Sequence, residues 1–149
     1  MTKEERCRKA LALHTTSLNC AQCVLGAFSD RLGLEENTCY AIGSGFGSGV
    51  RYGGVCGAVS AAVMVLGVLY PHTPENGMEG KRRATALTRE FQRRFREYFV
   101  KLDCRELLAD HDLHGTPMVD ALGATEHCDI LIVSAVELLC DMLEELEKE

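Results

Sequence analysis

Apolar residues recur every three or four positions along this chain and nowhere alternate with polar ones long enough to make a strand, which points to an all-α fold. Cys7, Ala10, Leu11 and His14 share one helical face, which the Thr15-Thr16-Ser17 cluster interrupts. Asn19 is a good N-cap, and Gln22 follows at capping-box spacing. The helix it opens is expected to run through Val24, Leu25, Phe28 and Leu32 and to end at Gly33. A short helix from Glu36 to Ile42 leads into Gly43-Ser44-Gly45-Phe46-Gly47-Ser48-Gly49 and then Gly53-Gly54. Helix is expected again from Cys56 to about Leu69, stopped by Pro71, with a turn at Pro74, Asn76 and Gly77. From Met78 to Leu102, the residues Leu87, Phe91, Phe95, Tyr98 and Leu102 keep helical spacing. His111 to Pro117 form a loop, and a last helix carries Cys128, Leu131, Ala135, Leu139, Met142 and Leu146. No internal repeat is present. The expected architecture is a compact multi-helix bundle with a glycine-rich loop before a central buried helix.

At 149 residues the chain is long enough for one domain (1–149) with a real core and too short for two comfortable ones. Its 46% hydrophobic and 26% charged content is that of an ordinary soluble globular protein. The net charge of −6 argues against a general nucleic-acid binder. Charge is polarised, however. Glu79 to Lys101 holds eight basic and three acidic residues, whereas Glu126 to Glu149 holds eight acidic and one basic. Two such faces can attract each other within the fold or across a homodimer. The uncharged stretch Gly53–Tyr70 reaches 18 residues only by counting its glycines, below the roughly 20 predominantly apolar residues of a spanning helix. It reads as a buried helix and not as a membrane span. The first residues, Met1-Thr2-Lys3-Glu4-Glu5-Arg6, lack the apolar core of a secretory signal, so a cytoplasmic location is expected. Thiols stay reduced there, and eight cysteines then point to redox or metal chemistry before structural bridges.

Four of those cysteines lie near expected helix termini, where free N–H groups and the helix dipole act on a thiol: Cys20, Cys56, Cys104 and Cys128. The glycine loop does not match a nucleotide-binding spacing, follows no strand and lacks a Walker lysine-serine pair. A mechanical role fits it better, since glycine permits tight turns that deliver Cys56 to the start of its helix. Cys56 is therefore expected to be the most acidic thiol. Cys20 and Cys23 form a C-x-x-C at a helix start without a βαβ setting, so Cys23 is either one turn into a thiol site or core. Cys7, Cys39 and Cys140 read as small buried hydrophobes. His111, His114 and His127 read as exposed or capping residues, because no cysteine pair around them has zinc-finger spacing.

Taken in order, Asn19-Cys20-Ala21-Gln22-x-Val24-Leu25, Gly53-Gly54-x-Cys56-Gly57-Ala58, Cys104-Arg105-Glu106-Leu107 and Cys128 before the last helix resemble a family of redox-active proteins. That family is defined by a C…CGAxxG…C…C signature, and the likeness runs from about Ala10 to Leu146. It implies Cys20, Cys56, Cys104 and Cys128 as the family cysteines of a small bacterial or archaeal protein. One position departs: Ala61 stands where the signature has its last glycine. Cys23 is not a signature cysteine. The function expected is redox, by thiol–disulfide exchange or by electron transfer through a metal centre on the four cysteines, either zinc or an iron–sulfur cluster. The redox or electron-transfer partner is not readable. The competing expectation is a non-catalytic metal-binding or structural accessory protein with buried, reduced cysteines. Convergence of Cys20, Cys56, Cys104 and Cys128 in one pocket is what either redox version requires.

Overall fold

Helix caps and turns written into the chain divide it into nine α-helices. The computed structural model describes all 149 residues: α1 (Lys3–His14), α2 (Cys20–Ala27), α3 (Ser29–Leu32), α4 (Glu36–Gly43), α5 (Gly57–Leu69), α6 (Gly77–Phe99), α7 (Cys104–Ala109), α8 (Pro117–Leu122) and α9 (His127–Glu147). The only strand-like feature is a single antiparallel bridge, Val55 to Asp103.

The apolar face of α9 is the wall against which the other helices lie. Ile130 to Leu139, Met142 and Leu143 are buried there. They meet α1, α2, α5, α6 and α8 in one continuous core. The uncharged helix α5 packs between α2, α6 and α9. No helix is long and apolar enough to cross a membrane. From α6, Phe91, Phe95 and Phe99 enter the core as a ladder, with ring centroids 6.3 and 4.7 Å apart. One ion pair joins the basic α6 to the acidic α9: Arg94 Nη2 lies 2.5 Å from Glu145 Oε2.

Two helices end earlier than the apolar spacing predicts. The expected helix through Phe28 to Gly33 breaks at Phe28 (φ −117°) into α2 and α3. There the buried Arg6 guanidinium takes the Ala27 carbonyl (2.9 Å) and a fork of bonds to Asp30 (2.6 and 2.9 Å), and it lies over the Phe28 ring. Gly33, at φ 65°, does close α3 as expected. Helix α6 stops at Phe99 and does not reach Leu102, because Val100 turns to φ 67°; beyond it the Leu102 carbonyl accepts from the Cys56 N–H (2.8 Å). Helix α8 was not apparent in the periodicity. It is held by α9, whose buried Glu137 accepts from the Met118 N–H (2.9 Å) and whose Ser134 hydroxyl accepts from the Thr116 N–H (3.2 Å).

The glycine-rich segment forms a left-handed turn. Ser48, Gly49, Val50 and Arg51 all have φ between 52° and 59°. Side chains other than glycine lose about 1–2 kcal/mol each in that region. Gly49 has no alternative, since a Cβ would sit 2.2 Å from the Gly54 carbonyl oxygen. Replacing the exposed Val50 by glycine should stabilise the protein by about 0.5–1 kcal/mol, the relief of strain less the added chain entropy. By contrast, Phe95→Ala should cost about 3–5 kcal/mol. Urea midpoints at constant m-value would check both.

Candidate functional site

Each of the four cysteines that the sequence singles out stands at the start of a helix for a local reason. Cys20 is the first residue of α2, behind a complete capping box in which Asn19 and Gln22 exchange side-chain and backbone bonds (2.8 and 2.9 Å). The Asn19 amide also donates to the Gly43 and Ser44 carbonyls, and that of Gln22 to the Tyr40 carbonyl (3.0 Å), so the end of α4 is tied to this helix start. Cys56 is the N-cap of α5. Cys104 opens α7, and Cys128 is the second residue of α9, behind the N-cap Glu126.

The Val55–Asp103 bridge couples two of these starts. Cys56 N–H donates to the Leu102 carbonyl (2.8 Å) and Cys104 N–H to the Gly54 carbonyl (2.6 Å). In a regular antiparallel pair, residues so placed are diagonal neighbours on one face, about 7–8 Å apart. Arg105 then clamps the glycine turn by donating to the Tyr52 carbonyl (2.8 Å).

Gly57 brings α5 against α2. A Cβ there would lie 2.6 Å from Cys20 Sγ and 2.7 Å from the Phe46 carbonyl oxygen. The absence of a side chain lets two helix N-termini share one sulfur. The Cys56 thiol and the N–H groups of Ala21, Ala58 and Gly57 act on the Cys20 sulfur and favour its charged form. Cys56 is the largest influence and, with the backbone N–H groups, overcomes the cost of burial, bringing the Cys20 thiol down to about 6.

This reverses the expectation that Cys56 is the most acidic thiol. Cys56 keeps its proton as a hydrogen-bond donor toward Cys20, is 3% exposed and faces the Cys20 charge, so it is held well above the usual thiol range. The glycine loop does deliver Cys56 to a helix start, but the amides there serve its neighbour's sulfur as well. Cys20 is partly exposed. The site therefore pairs an accessible thiolate with a buried thiol.

Cys104 and Cys128 form the outer part of the constellation. Burial raises Cys104, and the Cys20 charge adds to it. Burial pushes Cys128 up to about 12, followed by the charges of Glu126, Cys20 and Cys104. A tetrahedral ion 2.3 Å from four sulfurs needs those sulfurs about 3.8 Å apart. No three of the four meet within 4.8 Å, so they do not fit a single zinc ion in this arrangement.

Cys23 borders the pair one turn along α2. It is fully buried, and its thiol is pushed up to about 12, by burial first and then by the charge on Cys20. Cys7 and Cys39 are buried as expected, whereas Cys140 is only partly so. His114 is exposed and His127 bonds the Asp110 carbonyl (2.5 Å). The histidine close to Cys128 is His14, placed by the helical pattern on the inner face of α1 and found against the start of α9. Its Nδ1 lies 2.7 Å from Asp129 Oδ1. Arg105 carried no signal beyond standing next to Cys104.

A family model described as "Putative redox-active protein (C_GCAxxG_C_C)" matches residues 18–142, which include Cys20, Cys56, Cys104 and Cys128. No curated protein and no solved structure matches the chain.

Thiolates alkylate and thiols do not, so Cys20 should react with iodoacetamide along a pH profile centred near 6, with Cys56 lagging far behind. Gly57→Ala should move the Cys20 midpoint back toward the ordinary thiol value of about 8.5, because its methyl group takes the space of the sulfur contact. Peptide mapping of alkylated protein across pH 4–10 reads both.

Proposed function

The chain belongs to the C_GCAxxG_C_C family of redox-active proteins, and from that premise we propose that it exchanges dithiol for disulfide, with Cys20 as nucleophile and Cys56 as resolving thiol. The observation that carries this reading is the contact of a partly exposed, acidic Cys20 with a buried, protonated Cys56.

The chemistry balances within that pair. The Cys20 thiolate attacks one sulfur of a substrate disulfide, whose S–S bond breaks and releases a thiolate that takes a proton from solvent. A mixed disulfide now joins Cys20 to the substrate. With the Cys20 charge gone, the group that disfavoured a thiolate on Cys56 is removed, and Cys56 ionises more readily. Cys56 attacks the Cys20 sulfur, and its proton goes to the second leaving thiolate. Two electrons pass to the substrate, and the Cys20–Cys56 disulfide is the oxidised product. A dithiol reductant running the same steps backwards restores the pair.

The substrate disulfide must approach Cys20, because Cys56 is buried and Cys20 is partly exposed. The backbone donors around Cys20 stabilise it as the attacking thiolate and also as the leaving group when the pair is reduced. Cys104 and Cys128 flank the pair without taking a role in this exchange.

Reaction of the reduced protein with one equivalent of a small disulfide should give a Cys20–Cys56 bridge on peptide mapping. Cys56→Ser should accumulate the mixed disulfide at Cys20, and Cys20→Ser should abolish exchange. Bridging of other cysteines would overturn the assignment. So would a visible chromophore in anaerobically purified protein that takes up the electrons while both thiols stay free, the signature of a cluster acting in place of the thiols.

A further inference from the structure

At the junction between the end of α1 and the start of α9, His14, Glu126 and Cys128 each present a ligand atom, and the three atoms lie within 4.8 Å of one another. We propose that these residues form a mixed-ligand site for a borderline divalent transition ion, zinc in the first instance, separate from the Cys20–Cys56 pair.

The donor set selects the ion class. One imidazole nitrogen, one thiolate sulfur and one carboxylate oxygen are ligands that zinc accepts together, whereas magnesium and calcium take oxygen throughout. Three protein ligands leave a fourth tetrahedral position open, which water fills. The ligands also come from two elements far apart in sequence, one on α1 and two at the start of α9, so the site is assembled by tertiary packing.

Charge at the junction favours a cation. Glu126 and Asp129 have His14 as their only ionic partner, at 3.8 and 2.7 Å, with no lysine or arginine facing them. Cys128 sits by the Glu126 carboxylate and within reach of the Cys20 charge. The Glu126 carboxylate already faces inward, because it accepts the N–H groups of Cys128 (3.0 Å) and Asp129 (3.2 Å) as the cap of α9. Asp129 adds a second carboxylate at the rim. With side chains 22–56% exposed at His14 and Glu126, an ion can enter from solvent without opening the core. On binding, the Cys128 thiol gives its proton to solvent as the sulfur–metal bond forms, so uptake of each ion releases a proton.

The test is titration of the reduced, full-length protein with Co²⁺ and Zn²⁺ under anaerobic conditions. One equivalent of Co²⁺ should develop a thiolate-to-cobalt charge-transfer band together with tetrahedral d–d absorption, and Zn²⁺ should displace it. His14→Ala and Cys128→Ser should each weaken binding by at least about 100-fold, a loss at the upper end of that seen even for outer-shell partners. Cys20→Ser combined with Cys56→Ser should leave binding intact. Asp129→Asn removes the carboxylate that holds His14 without removing a ligand, so it should weaken binding less than His14→Ala or Cys128→Ser and keep the charge-transfer band, which separates ligand loss from local unfolding. In the wild-type protein, bound zinc should protect Cys128 from alkylation while Cys20 stays reactive. Absence of the charge-transfer band, unaltered affinity in His14→Ala, loss of binding with Cys20 and Cys56, or an unprotected Cys128 would each overturn the proposal. Disulfide mapping of Cys20 and Cys56 is read independently of these outcomes.

Discussion

The close approach of α5 to α2 at Gly57 is the contact on which the arrangement around Cys20 depends. With a Cβ at that position, Cys20 Sγ and the Phe46 carbonyl would both have to move. Without it, amides from two helix starts point at one sulfur, and the Cys56 thiol completes the set. Unpaired N–H groups at a helix start always need acceptors. Here part of that need is met by a thiolate, so local backbone accounting and sulfur reactivity become the same physical problem.

The surrounding structure holds this approach in register. Asn19 caps α2 while its amide reaches the end of α4, and the left-handed turn from Ser48 to Arg51 carries the chain to Cys56. The Val55–Asp103 bridge then fixes the start of α7 beside it. Strain in non-glycine residues such as Val50 persists only where neighbours over-determine the backbone. Arg105 on Tyr52 and the Gly49–Gly54 contact are those neighbours. Away from the site, the buried Arg6 ties α1 to the α2–α3 break, with its charge met by Asp30, whose carboxyl it holds down to about 2. A buried guanidinium of this kind needs every bond it makes, since an unpaired one would be costly.

A thiolate at Cys20 also sets the electrostatics of its surroundings. Its charge adds to burial in raising Cys23, Cys104 and Cys128. One ionised sulfur at a time is therefore the state the fold favours. Oxidation of the pair removes that charge, and the outer cysteines then lose one of the influences holding them protonated. The thiol pair and the junction around His14 are thus coupled through charge, although no residue belongs to both.

Sequence alone determined the parts governed by local rules. Helical spacing placed the long helices, the Asn19–Gln22 capping box and Gly33 were legible because cap chemistry acts within four residues, and the four family cysteines stood out by their flanking residues. Tertiary structure decided the rest. Arg6, some twenty residues earlier, takes the Ala27 carbonyl at the break before Phe28, and α6 ends at the positive φ of Val100, after which the Leu102 carbonyl meets the Cys56 N–H. Which cysteine carries the charge was likewise beyond local reading. A glycine loop before Cys56 does not say whose sulfur its helix amides will face, and only the crossing at Gly57 hands them to Cys20. His14 shows the same limit: its periodicity fixed a face of α1, but the partner on that face is the start of a helix more than a hundred residues away. Hydrogen bonds and ionisation are settled by which atoms meet in space, and spacing along a chain constrains that only within a few turns.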